Sequence, residues 1–264
     1  MRMSETGPKE DCHCAMNSRV IPLLLSGLLS LLSAPACADE LRVAAASNFR
    51  AAADELAKRF EVLGGHDVVL VFGSTGKHFA QIVNGAPYDV FLAADSERPR
   101  RLEEAGVGIP GTRFTYATGR LALWSIDPEL VEAGGEVLQT GRFRHFAIAN
   151  PALAPYGRAA KQTLQTLGVW QAIEPKLVMG ENVAQAFQFV GSGNAQLGLV
   201  AWPQVLQFER GSWWRIPASA HEPIEQQALQ LTDASAATAF IDFLQSELAM
   251  DVIRSHGYGV ADDR

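Results

Sequence analysis

Apolar residues along the chain alternate between two periods. Leu41–Ser47 (LRVAAAS) is a short apolar run ending in a hydroxyl, which predicts a buried strand. From Asn48 the apolar residues Phe49, Ala52, Ala53, Leu56, Phe60 and Leu63 recur at threes and fours. That spacing predicts an amphipathic helix, with Ser47 or Asn48 as its N-cap and Gly64-Gly65 as its stop. A second strand follows over Asp67–Gly73 and a second helix from Thr75 to Asn84, ended by Gly85. A third strand is expected over Asp89–Asp95, then a charged helix running to Gly106. Strands and helices alternating through short connections call for parallel strands with right-handed crossovers.

A similar set begins near Gly119. Leu121–Ile126, His145–Pro151, Lys176–Gly180 and Gln196–Trp202 read as strands. Pro155–Leu167 reads as a helix with Ala159, Ala160, Leu164 and Leu167 on one face, and Asn182 to about Val190 as another. One more strand (Gln226–Thr232) and two helices (Ser235–Ser246 and Leu248–His256) close the chain, with Phe240, Phe243 and Leu244 as core. The picture is of two α/β units facing one another, joined by extended segments near residues 117–123 and 216–226.

Ahead of these elements the run VIPLLLSGLLSLLSAPACADE follows Arg19. A basic start, an apolar core of about ten residues and the small residues Ala36 and Ala38 form the layout of a secretory signal peptide. Cleavage is expected after Ala38, so residues 1–38 are read as a leader. The apolar run is short for a membrane span. Met16 is an alternative start, and lipidation of Cys37 stays open. Cys12, Cys14 and Cys37 all lie at or before the cut, which leaves the mature chain without a disulfide. The Cys12-His13-Cys14 cluster lacks a second ligand pair and reads as incidental.

Composition narrows the function classes. The chain has 264 residues, 48% hydrophobic and 19% charged, an ordinary globular balance. A formal net charge of −7 argues against nucleic acid as a partner, which needs a basic face. It argues less against small anions, because oriented backbone dipoles bind those without net positive charge.

The stretch VFGSTGK (Val71–Lys77) looks like a phosphate cradle but fails as a nucleotide motif: the first glycine is replaced by Val71, and His78 stands where the magnesium-holding hydroxyl belongs. What remains is a strand-turn-helix junction offering N–H groups to an anion. Four junctions share that chemistry: Ser47-Asn48, Ser74-Thr75-Gly76, the segment Pro151–Gly157 with Tyr156, and Glu181-Asn182-Val183. Helix N-termini with neutral hydroxyl donors suit a fully ionised oxyanion, which offers only acceptors. The plainer reading is that each such residue only caps its own helix.

For catalysis the chain has no G-x-S-x-G elbow and no H-E-x-x-H pair. His66, His78, His145, His221 and His256 are scattered. Asp89 and Asp95 flank a strand like a carboxylate pair, but read better as a turn-closing residue and a helix cap. Lys77 reads as a solvated bystander.

The motifs AAASNF, FGSTGKHFAQI, NGAPYDVFLAAD, IANPALAPYGRAA and GNAQLGLV, in order from about Leu41 to Gly259, resemble the periplasmic molybdate-binding proteins of ABC importers. The resemblance implies a type II periplasmic binding protein fold, α/β, with two lobes that are each a mixed sheet flanked by helices. Residues 39–119 with 225–264 would form one lobe and 120–224 the other. It implies a periplasmic, non-enzymatic monomer that binds molybdate or tungstate, needs no cofactor or cation, and hands the ion to an inner-membrane permease.

Carried over residue by residue, the family's first ligand serine falls on Ser47, and one branch also uses Asn48. The second serine falls on Thr75, which keeps the hydroxyl. In the second lobe the ligands fall on Tyr156 and on the backbone N–H of Val183. Some members place an anion-binding tyrosine where this chain has Ala201, which leaves Tyr156 to supply that hydroxyl. The competing expectations are a carrier for another oxyanion such as sulfate or thiosulfate, and a periplasmic enzyme or sensing module on the same fold.

Overall fold

The computed structural model describes residues 40–64, 66–132 and 134–260; the leader, its cysteines and the expected cut lie outside them. The chain runs β1 (Glu40–Ala46), α1 (Arg50–Gly64), β2 (Asp67–Gly73), α2 (Thr75–Val83), β3 (Val90–Leu92), α3 (Glu97–Glu104) and β4 (Phe114–Gly119). It continues through β5 (Leu121–Ser125), α4 (Val137–Thr140), β6 (Phe146–Ala149), α5 (Pro155–Thr166), α6 (Trp170–Ile173) and β7 (Leu177–Gly180). Then come α7 (Val183–Gly191), β8 (Leu197–Ala201), α8 (Trp202–Phe208), β9 (Ser212–Arg215), β10 (Ile224–Gln230), α9 (Ser235–Leu244) and α10 (Glu247–Ser255).

Two five-stranded mixed sheets result, ordered β2-β1-β3-β10-β4 and β7-β6-β8-β5-β9. In the first, β1 pairs parallel with β2 and β3, while β10 runs antiparallel to β3 and β4. The second repeats the scheme: β6 is parallel to β7 and β8, and β5 is antiparallel to β8 and β9. The chain passes from the first sheet to the second at Gly119–Leu121 and returns between β9 and β10.

The central strands are apolar on both faces because helices cover both sides. Leu41, Val43, Ala45, Val90 and Leu92 pack with Phe49, Leu56, Phe240 and Ile253 around the first sheet. Leu121, Leu123, Trp124, Phe146, Ile148 and Leu199 pack with Leu164 and Val190 around the second. Phe243 is only partly buried at the edge of its core, and Leu63 at the end of α1 is exposed.

The expected elements form, with differences that have local causes. Strands β4 and β9 and the short helices α4, α6 and α8 were not expected. Strand β4 ends in Thr118-Gly119 and β9 has four residues; both sit at sheet edges, where one-sided pairing relaxes the apolar pattern. Trp202 belongs to α8 rather than to the strand before it, since Pro203 fits the first turn of a helix. The third strand pairs only over Val90–Leu92.

Of the two aspartates, Asp89 departs from the part expected and Asp95 keeps to it. Asp89 accepts from the N–H of Arg42 at 2.8 Å and from the Thr232 hydroxyl at 2.9 Å, so it staples neighbouring strands instead of closing a turn. Asp95 does serve the start of α3, accepting from the Arg98 N–H at 3.1 Å, and its other oxygen pairs with the Arg98 guanidinium.

His78 of α2 is buried, its Nε2 3.2 Å from the carbonyl of Ala45. Gly73 makes room for it, since a Cβ there would stand 2.9 Å from the ring. Burial holds the imidazole pKa below its ordinary value. In the unfolded chain that pKa returns to about 6.5. Below that pH the unfolded chain takes up a proton that the folded one resists, so this contribution to stability is full above about pH 6.5 and shrinks as the pH falls. Thermal melts between pH 7.5 and 5.5 are expected to show a declining midpoint, with a shallower decline in His78→Gln; identical slopes would remove His78 from the explanation.

Candidate functional site

Strand β1 enters α1 through a single tight turn, Ser47–Phe49, whose three residues are all buried. The expected cap is not formed there: Ala46 occupies the N-cap position without a side-chain bond. The Ser47 hydroxyl instead faces the second sheet's α7 and accepts from the N–H of Ala184 at 3.5 Å. The Asn48 amide nitrogen donates to Gln226 Oε1 at 2.7 Å and to the Tyr258 hydroxyl at 3.2 Å, while that hydroxyl donates to the Asn48 carbonyl at 2.7 Å. Asn48 is therefore knotted into the first sheet by both its side chain and its carbonyl.

At the second junction Ser74 takes the capping duty of α2, accepting from the Lys77 N–H at 3.4 Å. Thr75 is thereby released from capping. Its Oγ1 accepts from the N–H of Ala94 at 3.0 Å, and the residue is almost wholly buried. A hydroxyl whose oxygen already accepts keeps its proton to donate elsewhere.

In the second sheet Asn182 caps α7 by accepting from the Gln185 N–H at 3.1 Å. The Val183 N–H lies in the first turn, where no carbonyl of its own helix can take it. Helix α5 opens with Pro155 and no side-chain cap. Tyr156, next along, is buried; its hydroxyl proton meets no acceptor among the described residues, and its oxygen stands close to the backbone N–H of Arg120. Burial pushes its pKa well up, so the phenol stays protonated and remains a donor. The hydroxyl lies against Gly119 at the crossing between the sheets, where any side chain would collide with it.

These four junctions meet at one cavity. Ser47, Asn48, Thr75, Tyr156 and Val183 all line it, with Ser74, Asn182 and backbone from Ala46, Gly73, Ala94 and Ala154. No charged side chain is among the described lining residues. The cavity is about 10 Å³, close to the space that one water molecule needs and well below what organic ligands need.

The two sheets are fastened around this void. Gly76 N–H donates to the Leu153 carbonyl at 2.8 Å, and a Cβ at Gly76 would stand 2.8 Å from the same oxygen. The glycine thus serves this contact between α2 and the loop before α5. Lys77, read as a solvated bystander to the anion, is half exposed and outside the cavity lining, and its Nζ pairs with Glu181 at 3.0 Å. Arg98 Nη2 donates to the Ala152 carbonyl at 3.2 Å, and Arg158 pairs with Glu97 at 3.3 Å. These contacts across the void escaped the sequence, because nothing in it says which residues of separate units meet.

Ala201 is buried at the end of β8 and presents only backbone, its N–H 3.4 Å from Gln204 Oε1.

The family model for bacterial extracellular solute-binding proteins matches residues 41–259, nearly all of the described chain. This chain belongs to that family. Among these solute-binding proteins it is 47% identical over 249 residues to the molybdate-binding protein ModA of Azotobacter vinelandii, covering 92% of this chain and 98% of that one. It is 45% identical over 230 residues to the Rhodobacter capsulatus protein of the same name, covering 86% and 91%. The solved structure of the Azotobacter vinelandii periplasmic molybdate-binding protein superposes with a TM-score of 0.80 at 42% identity, over 83% of this chain and 99% of that one.

A buried hydroxyl whose proton lacks an acceptor is a cost to the fold, so removing it should not harm the protein by itself. In the absence of added oxyanion, Tyr156→Phe is expected to melt at or above the parent midpoint. A midpoint lower by several degrees would mean that the hydroxyl has a structural partner.

Proposed function

We propose that this solute-binding protein is the capture component of an ABC importer, taking molybdate or tungstate into the cavity and delivering it to an inner-membrane permease. The observation that carries the reading is a small cavity walled by helix starts and hydroxyls from both sheets, with no charged side chain among its described lining residues. A tetrahedral dianion presents only acceptors, and this wall presents donors: the hydroxyls of Ser47, Thr75 and Tyr156 and the first-turn N–H groups at Asn48 and Val183. The molybdate-binding names of the relatives at 47% and 45% identity support the same ligand.

The mechanism follows from the division of donors. Residues 39–119 with 225–264 act as one lobe and 120–224 as the other, bending at the two crossings. When the lobes part, each retains only half of the donors. The anion is fully satisfied only when they meet, so it shifts the population towards the closed form. Each bond from a neutral donor to the charged ligand contributes about 1.5–3 kcal/mol. Protonated phosphate is disfavoured because its O–H needs an acceptor, and no carboxylate is among the described lining residues. Sulfate is discriminated by size.

In this reading the mature chain starts after Ala38, works in the periplasm as a monomer and catalyses no reaction. Asp89 and Asp95, the carboxylates of the enzyme alternative, are engaged in strand and helix bonds. No nucleic acid and no cofactor take part.

Thermal melts of the mature chain are expected to rise more with molybdate or tungstate than with equal sulfate or phosphate. Equal shifts for all four anions would sink the molybdate reading. By titration calorimetry, Ser47→Ala, Thr75→Val and Tyr156→Phe should each weaken molybdate binding about 10- to 150-fold. Unchanged affinity would take that residue out of the site.

A further inference from the structure

A second and larger cavity, about 750 Å³, opens where the two crossing segments run together. Its walls come from Thr118–Leu121 on one segment and from Arg215–Ala218 and Pro223 on the other, with Val260 near the end of the described chain. This volume is in the range that holds organic molecules, unlike the first cavity.

Its chemistry is also of the opposite kind. Leu121, Ile216 and Val260 supply a buried apolar base. At the rim stand the exposed guanidinium groups of Arg120 and Arg215 and the imidazole of His221. Arg215 pairs in register with Ala122, and the Ile216 N–H donates to the Leu121 carbonyl at 3.0 Å. Arg120 lies two residues before Ala122, just ahead of β5, and so has the same parity along the chain as the partner of Arg215.

The chain has 29 acidic residues against 22 basic ones, and Arg42, Arg59, Arg98, Arg100, Arg113 and Arg158 each pair with a carboxylate. Among the described residues Arg120 and Arg215 form no ion pair; Arg215 lies over the Trp202 ring at 5.5 Å. Glu225, the carboxylate among the described lining residues, has a partner of its own.

We propose that this pocket is a second ligand site, for an organic anion with an apolar body, such as an aryl or alkyl sulfonate or carboxylate. The two arginines hold the anionic head and the apolar base takes the body. The site is coupled to the first cavity. Gly119 forms part of its wall, and the Tyr156 hydroxyl of the first cavity lies against that same glycine. A ligand between the crossing segments therefore bears on the hinge and on a donor of the oxyanion site. The coupling rests on the function proposed above; the second site does not.

The test uses 8-anilinonaphthalene-1-sulfonate, an apolar ring system with one sulfonate, titrated by fluorescence into the mature chain without any oxyanion. One saturable site per chain is expected. The double variant Arg120→Ala/Arg215→Ala should weaken it about 10-fold or more, with the native fold kept as read by circular dichroism. Binding indifferent to the double variant, or no saturable site, overturns the proposal.

In the coupled arm, saturating molybdate should change the dye's Kd, and saturating dye should change molybdate's Kd by the same factor. Dye that binds through the two arginines but ignores molybdate overturns the coupling. If molybdate itself fails to bind, the function proposed above falls, while the oxyanion-free titration still decides the second site.

Discussion

In the proposed reading, an anion held without a counter-charge is the constraint around which this molecule is arranged. The void between the sheets has no charged side chain among its described lining residues, so whatever sits there must be stabilised by N–H and O–H dipoles. Such dipoles are effective only when water is excluded and when they are already aimed. Each helix start supplies a few, and one start alone is a weak site. Four starts converging from two sheets need two mixed sheets whose parallel strands end towards each other, which is what the repeated strand scheme provides.

The orientation of the donors is fixed by bonds one step further out. Ser74 and Asn182 do the ordinary capping of α2 and α7, which frees Thr75 and Val183 at the adjacent positions. The Thr75 oxygen is occupied by Ala94 and the Ser47 oxygen by Ala184, so both hydroxyl protons have to point elsewhere. The Tyr156 hydroxyl is buried, and its proton meets no acceptor among the described residues. In the proposed mechanism a ligand that takes that bond couples binding to closure.

Much of this was legible in the sequence because strand ends and helix starts have strong local signatures. The paired signals LRVAAAS-N, VFG-STG, IAN-PALAPYG and MG-EN each mark a strand-to-helix junction, and all five residues singled out at these four junctions line one cavity. What the sequence obscured was the division of labour within each junction. Ser47 and Asn48 look like caps and are not; Ser74 is the cap beside Thr75; Lys77 looks solvated and pairs across the void with Glu181. Those assignments depend on which residues of distant segments come within bonding distance, and local periodicity carries no such information. Edge strands β4 and β9 escaped for a related reason, since short strands paired on one side have little apolar pattern to read.

The most direct test of the central claim is a crystal structure of the mature chain grown with molybdate, with diffraction recorded at the molybdenum absorption edge. The account predicts a single anomalous peak inside the void bounded by Ser47, Thr75, Tyr156 and Val183, within hydrogen-bond reach of donors from both sheets. A peak elsewhere, or one contacted by only one of the sheets, would contradict it.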